Sequence, residues 1–132
     1  MMTSPYEKYR QSSVQTSTPA QLLIMSYDGA IRFVRLAMEA LSKRDFEKTN
    51  LNLGKAQTIM SELICALDYN YEISKNLYSL YEYINHLLVE ANIRKSPEKA
   101  EEAIGYLIDL RETWLQASKI AAGQGQAEIA NG

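Results

Sequence analysis

Residues Ile73 to Ala91 read ISKNLYSLYEYINHLLVEA, and at about 100° per residue they form a helix with more apolar surface than one core can cover. Ile73, Leu77, Leu80, Ile84, Leu87 and Ala91 fall on a stripe with steps of four, three, four, three and four, the rhythm of a bundle seam. Tyr81 and Leu88 lie beside the stripe, then Tyr78 and Val89, and Tyr83 extends the other flank. The apolar and aromatic arc spans roughly 240°, whereas a helix on the outside of a small bundle hides little more than ~100°. The excess predicts that something besides the core covers part of this helix.

The rhythm recurs on both sides of that stretch. Upstream, Thr18-Pro19-Ala20-Gln21 is a helix start: a hydroxyl to cap free N–H groups, proline where its missing donor costs nothing, and glutamine three after the cap. The helix that follows runs to about Ser42 with Leu23, Tyr27, Ala30, Val34, Ala37 and Leu41 as its seam. Ile24, Ile31 and Met38 lie beside the seam, and Leu22, Met25, Phe33 and Leu36 widen the other flank. Gln21, Asp28, Arg32, Arg35 and Glu39 leave only a thin polar strip, so this helix also has surplus apolar surface. Asp45 caps a second helix carrying Leu53, Ala56, Met60, Leu63 and Leu67, which Asp68-Tyr69-Asn70 closes. Downstream, Ser96 and Pro97 open a fourth helix with Ala100, Ala103, Leu107, Leu110, Trp114, Ala117 and Ala121 in register.

Four amphipathic helices joined by short loops make neighbours antiparallel. The expected fold is therefore all-α: an up-and-down four-helix bundle over residues 18–121, preceded by a short arm with helical character. Residues 1–17 are rich in Ser, Thr and Gln, with Tyr6, Tyr9 and Val14 as isolated apolar points, and predict a mobile arm that cannot fold alone. From Ala122 the Gly- and Gln-rich GQGQAEIANG lacks periodicity and reads as a disordered tail.

Composition narrows the function. At 132 residues and 46% hydrophobic content the chain suits one domain with a real core. A net charge of -2, from 14 basic and 16 acidic residues, argues against a nucleic-acid partner. No segment approaches the ~18 uninterrupted apolar residues of a membrane helix, and no leader pattern precedes the first helix, so a soluble cytosolic protein is expected. The single cysteine, Cys65, sits among Leu63, Ile64 and Leu67 and reads as a small buried thiol. Bundles that hold di-iron centres use Glu-x-x-His pairs on two helices. Here the sole histidine, His86, lies about 150° from the seam and faces water. With no phosphate loop or nucleophile elbow either, neither a metal, a cofactor nor an enzymatic activity is expected.

Tyrosine stands out: nine of the twelve aromatics, five of them between Tyr69 and Tyr83. Tyrosine joins apolar area to a polar tip and suits surfaces that are alternately wet and covered. A bundle edge lined with outward hydroxyls explains single residues, whereas Tyr78, Tyr81, Tyr83, Leu88 and Val89 together read as a groove for a partner segment. Trp114 reads as core, and Asp109, Arg111 and Glu112 as a solvated, charge-paired face. A self-associating bundle that buries the same stripe in a homodimer is the alternative without a client.

The stretches YEKYRQSSVQTSTPAQLLIMSYDGAIRF, KNLYSLYEYINHLLVEANIRK and Leu110-Arg111-Glu112-Thr113-Trp114 resemble the FliS family of flagellin export chaperones, in family order from Tyr6 to about Ala117. The resemblance implies an antiparallel helical bundle of the bacterial cytosol without enzymatic activity. Such a protein binds the C-terminal segment of flagellin, prevents premature polymerisation, and helps deliver the subunits to flagellar export gate components of the type III apparatus. In the family the N-terminal arm can lie over the binding surface, a lid role that would here fall to Tyr6, Tyr9 and Val14. Combined with the surplus surface on the first and third helices, this predicts flagellin contacts at Tyr27, Ile31, Leu77, Tyr78, Tyr81, Leu88 and Val89.

Overall fold

The computed structural model describes residues 18–131, with side chains described to residue 123. The expectations for Tyr6, Tyr9 and Val14 lie outside the described residues. Four helices follow in order: α1 (Pro19–Ser42), α2 (Phe46–Cys65), α3 (Ile73–Arg94) and α4 (Pro97–Asn131).

Three of the four described helices begin where the sequence supplies a cap. The Thr18 hydroxyl accepts from the Gln21 N–H at 3.2 Å while the Gln21 side chain accepts from the Thr18 N–H at 2.9 Å, so two orphan donors are satisfied at once. Asp45 Oδ1 accepts from the Lys48 N–H at 3.1 Å, and Ser96 Oγ accepts from the Lys99 N–H at 3.3 Å. α3 is the exception: Glu72 precedes it without a side-chain cap. The chain leaves α3 through Lys95 in the left-handed region, with φ 50°, and the Ser96 N–H reaches back to the Ala91 carbonyl at 3.0 Å. That geometry turns the backbone sharply enough for α4 to start two residues later.

Helices adjacent in sequence pack side by side, and α4 closes the ring against α1. Direction follows from which ends meet. Met38 and Leu41 of α1, Thr49 and Leu53 of α2, Ala91 of α3 and Ala100 of α4 surround one hollow at one end. Towards the other end Tyr27 of α1 meets Tyr81 of α3, and Asp28 of α1 meets Arg111 of α4. The bundle therefore runs up, down, up, down. α1 approaches α2 closely at Gly29, where an added Cβ would stand 3.3 Å from Ile59 Cδ1.

The seams of three helices lie inward as their spacing requires. Tyr27, Ala30, Val34 and Ala37 on α1, Leu53, Ala56, Met60 and Leu63 on α2, and Ala100, Ala103, Leu107 and Leu110 on α4 are all buried. Trp114 packs partly buried against this core. α3 differs. Its buried residues are Ser74, Tyr81, Ile84, Leu87, Leu88 and Ala91, so the inward face is turned by roughly 35°, a third of the step between neighbours, from the stripe that begins at Ile73. Tyr81 and Leu88, expected on surplus surface, belong to the core, and Ile73, expected on the seam, is exposed at the first residue of the helix.

Two further differences concern single elements. Cys65 is exposed, not buried, because it lies about 200° around α2 from Leu63, the last inward residue of that helix. α4 continues to Asn131, past the expected end at Ala121. Ala, Gln and Glu in this stretch favour helix and no proline interrupts it. At 35 residues α4 is about 52 Å long, against about 36 Å for the 24 residues of α1. Ala117 and residues 119–123 are accordingly exposed.

Candidate client-binding surface

The residues assigned to a client fall into two sets. Tyr27, Tyr81 and Leu88 are fully buried and Ile31 nearly so, whereas Leu77 and Val89 are half-buried and Tyr78 is 37% exposed. The buried set is a core feature with its own chemistry. The Tyr27 and Tyr81 hydroxyls are 2.6 Å apart, and their rings lie 6.4 Å apart at 53°. Trp114 of α4 packs partly buried against the same core. Burial pushes both phenols above their ordinary range. For Tyr27 the Tyr81 hydroxyl adds to the rise and Trp114 offsets part of it, and for Tyr81 the bond to Tyr27 pulls the other way.

The surface set lies on α3. Tyr78, Asn85 and Val89 are seven and four residues apart and share one line of the helix. Asn92 continues the line and meets Asn50 of α2 through their side-chain amides, which identifies this flank as the one facing α2. The Tyr78 hydroxyl donates to Glu82 Oε1 at 2.8 Å, and that carboxylate holds the phenol above its ordinary range. Asn85 Oδ1 is buried and without a hydrogen-bond partner. A buried acceptor left unpaired costs about 1–3 kcal/mol, so this flank carries an unmet demand for a donor beside an exposed aromatic ring.

On the opposite flank Tyr83 is occupied. Its ring meets Tyr106 of α4 edge-on at 5.7 Å and its hydroxyl donates to Glu102 Oε2 at 2.7 Å. His86 faces solvent.

α1 contributes a second open surface, which its polar strip did not foretell. Asp28, Ile31, Arg32, Arg35, Leu36 and Glu39 line a shallow hollow of about 260 Å³, with Ile31 as floor and Leu36 exposed at its edge. Arg111 of α4 reaches Asp28 across the helix boundary and also holds Glu112 at 3.0 Å. The Asp28 carboxylate, more than Glu112, raises the guanidinium above its ordinary range. The sequence shows Arg111 only as part of a charged face; a partner 83 residues away leaves no local signal.

Among the described residues no group of His, Cys, Asp and Glu is placed to hold a metal ion, and no helix is long and apolar enough to cross a membrane.

Comparison with known proteins accounts for this arrangement. The sequence profile described as "Flagellar protein FliS" matches residues 2–121. The flagellar secretion chaperone FliS of Bacillus subtilis (strain 168) is 42% identical over 114 residues, covering 86% of each chain. That of Salmonella typhimurium is 34% identical over 117 residues, 86% of this chain and 87% of its own. The Campylobacter jejuni chaperone of the same name is 31% identical over 113 residues, 84% and 88% of the two chains. A four-helix bundle whose sequence matches that profile and those relatives over most of its length thus belongs to the FliS family of flagellar secretion chaperones.

Proposed function

We propose that this chain is a cytosolic, non-enzymatic chaperone for flagellin, binding its C-terminal segment, holding subunits back from polymerisation and presenting them to components of the flagellar export gate. Leu77, Tyr78 and Val89 make the direct contacts on α3, and Ile31 does so from the floor of the α1 hollow. Tyr27, Tyr81 and Leu88 hold those surfaces in place from within. The observation that carries this reading is the α3 flank, where an exposed tyrosine and a half-buried valine stand in line with the unpaired Asn85 carbonyl. A docked segment can cover the first two, and it can supply a donor to the third once the Asn85 side chain, closed to solvent in the free chain, turns outward. A disordered tail that folds on docking suits such a surface, because it wraps a long apolar strip and loses about 2–5 kcal/mol to its own ordering.

Calorimetric titration of the full chain with a flagellin C-terminal peptide tests the proposal. Saturable one-to-one binding with a negative heat-capacity change is expected. Absence of binding, with the chain folded, would remove flagellin as the client.

A further inference from the structure

Three large apolar side chains stand out where α2 ends and α3 begins. Tyr69 is 57%, Tyr71 66% and Ile73 53% exposed, and of the three Tyr69 comes near Tyr78 of the client flank. The loop that carries them is tied down. The Asp68 carbonyl accepts from Ser74 Oγ and from the Tyr71 N–H, and the Asp68 carboxylate accepts from the Asn70 N–H at 3.0 Å. Ser74 itself is only 4% exposed, so the anchor is inside while the aromatic groups are outside. Side chains held this way lose less freedom on binding than those of a slack loop, and tyrosine is among the residues that carry most interface energy.

Charge around the corner is one-sided. Asp68 and Glu72 stand there with a single lysine, Lys75, and neither carboxylate enters an ion pair among the described residues. Residues 68–75 thus hold two carboxylates against one ammonium, an excess of negative charge. That excess discriminates between occupants. A second copy docking through the same patch would set like charges against each other. Anionic lipid and nucleic-acid phosphate are repelled for the same reason.

We propose that the α2–α3 corner is a docking surface separate from the client flank, fitted to a protein segment that carries Lys or Arg beside apolar anchors. Tyr69, Tyr71 and Ile73 receive the anchors, and Asp68 and Glu72 meet the basic groups. Tyr78 borders both surfaces and is left unchanged in the test. The inference does not depend on the client being flagellin.

The probe is a short peptide of phenylalanines flanked by arginines, with a counterpart in which glutamates replace the arginines, titrated into the isotope-labelled full chain by NMR. The arginine peptide is expected to shift the amides of residues 68–75, to bind about tenfold or more tightly than the glutamate peptide, and to weaken as salt is raised. Tyr71→Ser with Ile73→Ser should reduce that binding about tenfold without changing the melting temperature or the affinity for a flagellin tail. Glu72→Lys should reverse the preference between the peptides. Equal binding of both peptides, shifts confined to other surfaces, or no shift at all overturns the proposal. So does dimerisation lost on Tyr71→Ser with Ile73→Ser, binding of the corner to anionic vesicles, or a flagellin tail that occupies the corner and excludes the arginine peptide.

Discussion

Tyr27 and Tyr81 bring their hydroxyl oxygens to 2.6 Å inside the bundle and so join α1 to α3, the two helices that stand diagonally opposed. Each phenol satisfies the other. Removing one partner leaves a buried polar group unmet, whereas removing both leaves an apolar contact of nearly the same shape. Tyr81→Phe is therefore expected to cost about 1 kcal/mol of unfolding free energy. Tyr27→Phe should likewise cost about 1 kcal/mol. The double variant should cost no more than Tyr27→Phe alone. Urea unfolding of the three variants checks this, and additive losses would show that the two hydroxyls act independently.

The same pair predicts an alkaline limit. Burial raises both phenols above their ordinary value near 10 in the folded chain. Above that pH an unfolded tyrosine releases its proton while the folded one keeps it, so the unfolded state binds fewer protons and stability falls as pH rises. The contribution is intact below about pH 10 and is lost progressively above it. Thermal melts across this window should fall less steeply for the Tyr27→Phe, Tyr81→Phe double variant than for the parent chain. Identical slopes would place the loss in other groups.

Legibility in the sequence differed from helix to helix. On α2 and α4 the apolar residues occupy one face, so period alone places Leu53, Ala56 and Met60, or Ala103 and Leu107, inside. Caps were equally legible, because Thr18 with Gln21, Asp45 and Ser96 act within three residues of themselves. α3 is apolar or aromatic around most of its circumference, and there period cannot choose the inward side. The positions of α2 and α4 choose it, and they turn Tyr81 and Leu88 in and leave Tyr78 at the surface. For the same reason the candidate site was legible as an excess of apolar area on α1 and α3, but not residue by residue. Arg111 with Asp28 and Tyr27 with Tyr81 are separated by 83 and 54 residues, and only the closed bundle brings them together.

Burial separates residues that hold the fold from those free to bind. Tyr78→Ala should weaken a flagellin C-terminal peptide by about 1–2 kcal/mol and leave the unfolding midpoint nearly unchanged, since the ring stands at the surface. Ile84→Ala, at a fully buried position, should instead destabilise the bundle by about 2–5 kcal/mol. Leu88→Ala belongs with Ile84 by this criterion, despite its place beside Val89 in the sequence. Paired calorimetric and urea measurements decide the assignment. Equal stability losses at Tyr78 and Leu88 would contradict the division of α3 into a core face and a client flank.

The arm should compete with the client. Tyr6, Tyr9 and Val14 are the sizeable apolar groups of residues 3–17. Such a segment can dock without being able to fold alone. It joins the bundle at Thr18, directly before α1, and seventeen residues span up to about 55–60 Å when extended, so both the α1 hollow and the α3 flank are within reach. If the arm covers either surface in the free chain, binding has to displace it, and the observed affinity is lowered by the fraction of molecules that are closed. Deleting residues 1–16 should then tighten or accelerate binding of a flagellin tail, and Tyr9→Ala should do so in part, with the fold unchanged. An arm that instead folds over the docked tail would exclude water from both and strengthen the complex. Weaker binding after the deletion, with melting unaltered, would make the arm part of the bound site and end its role as a lid.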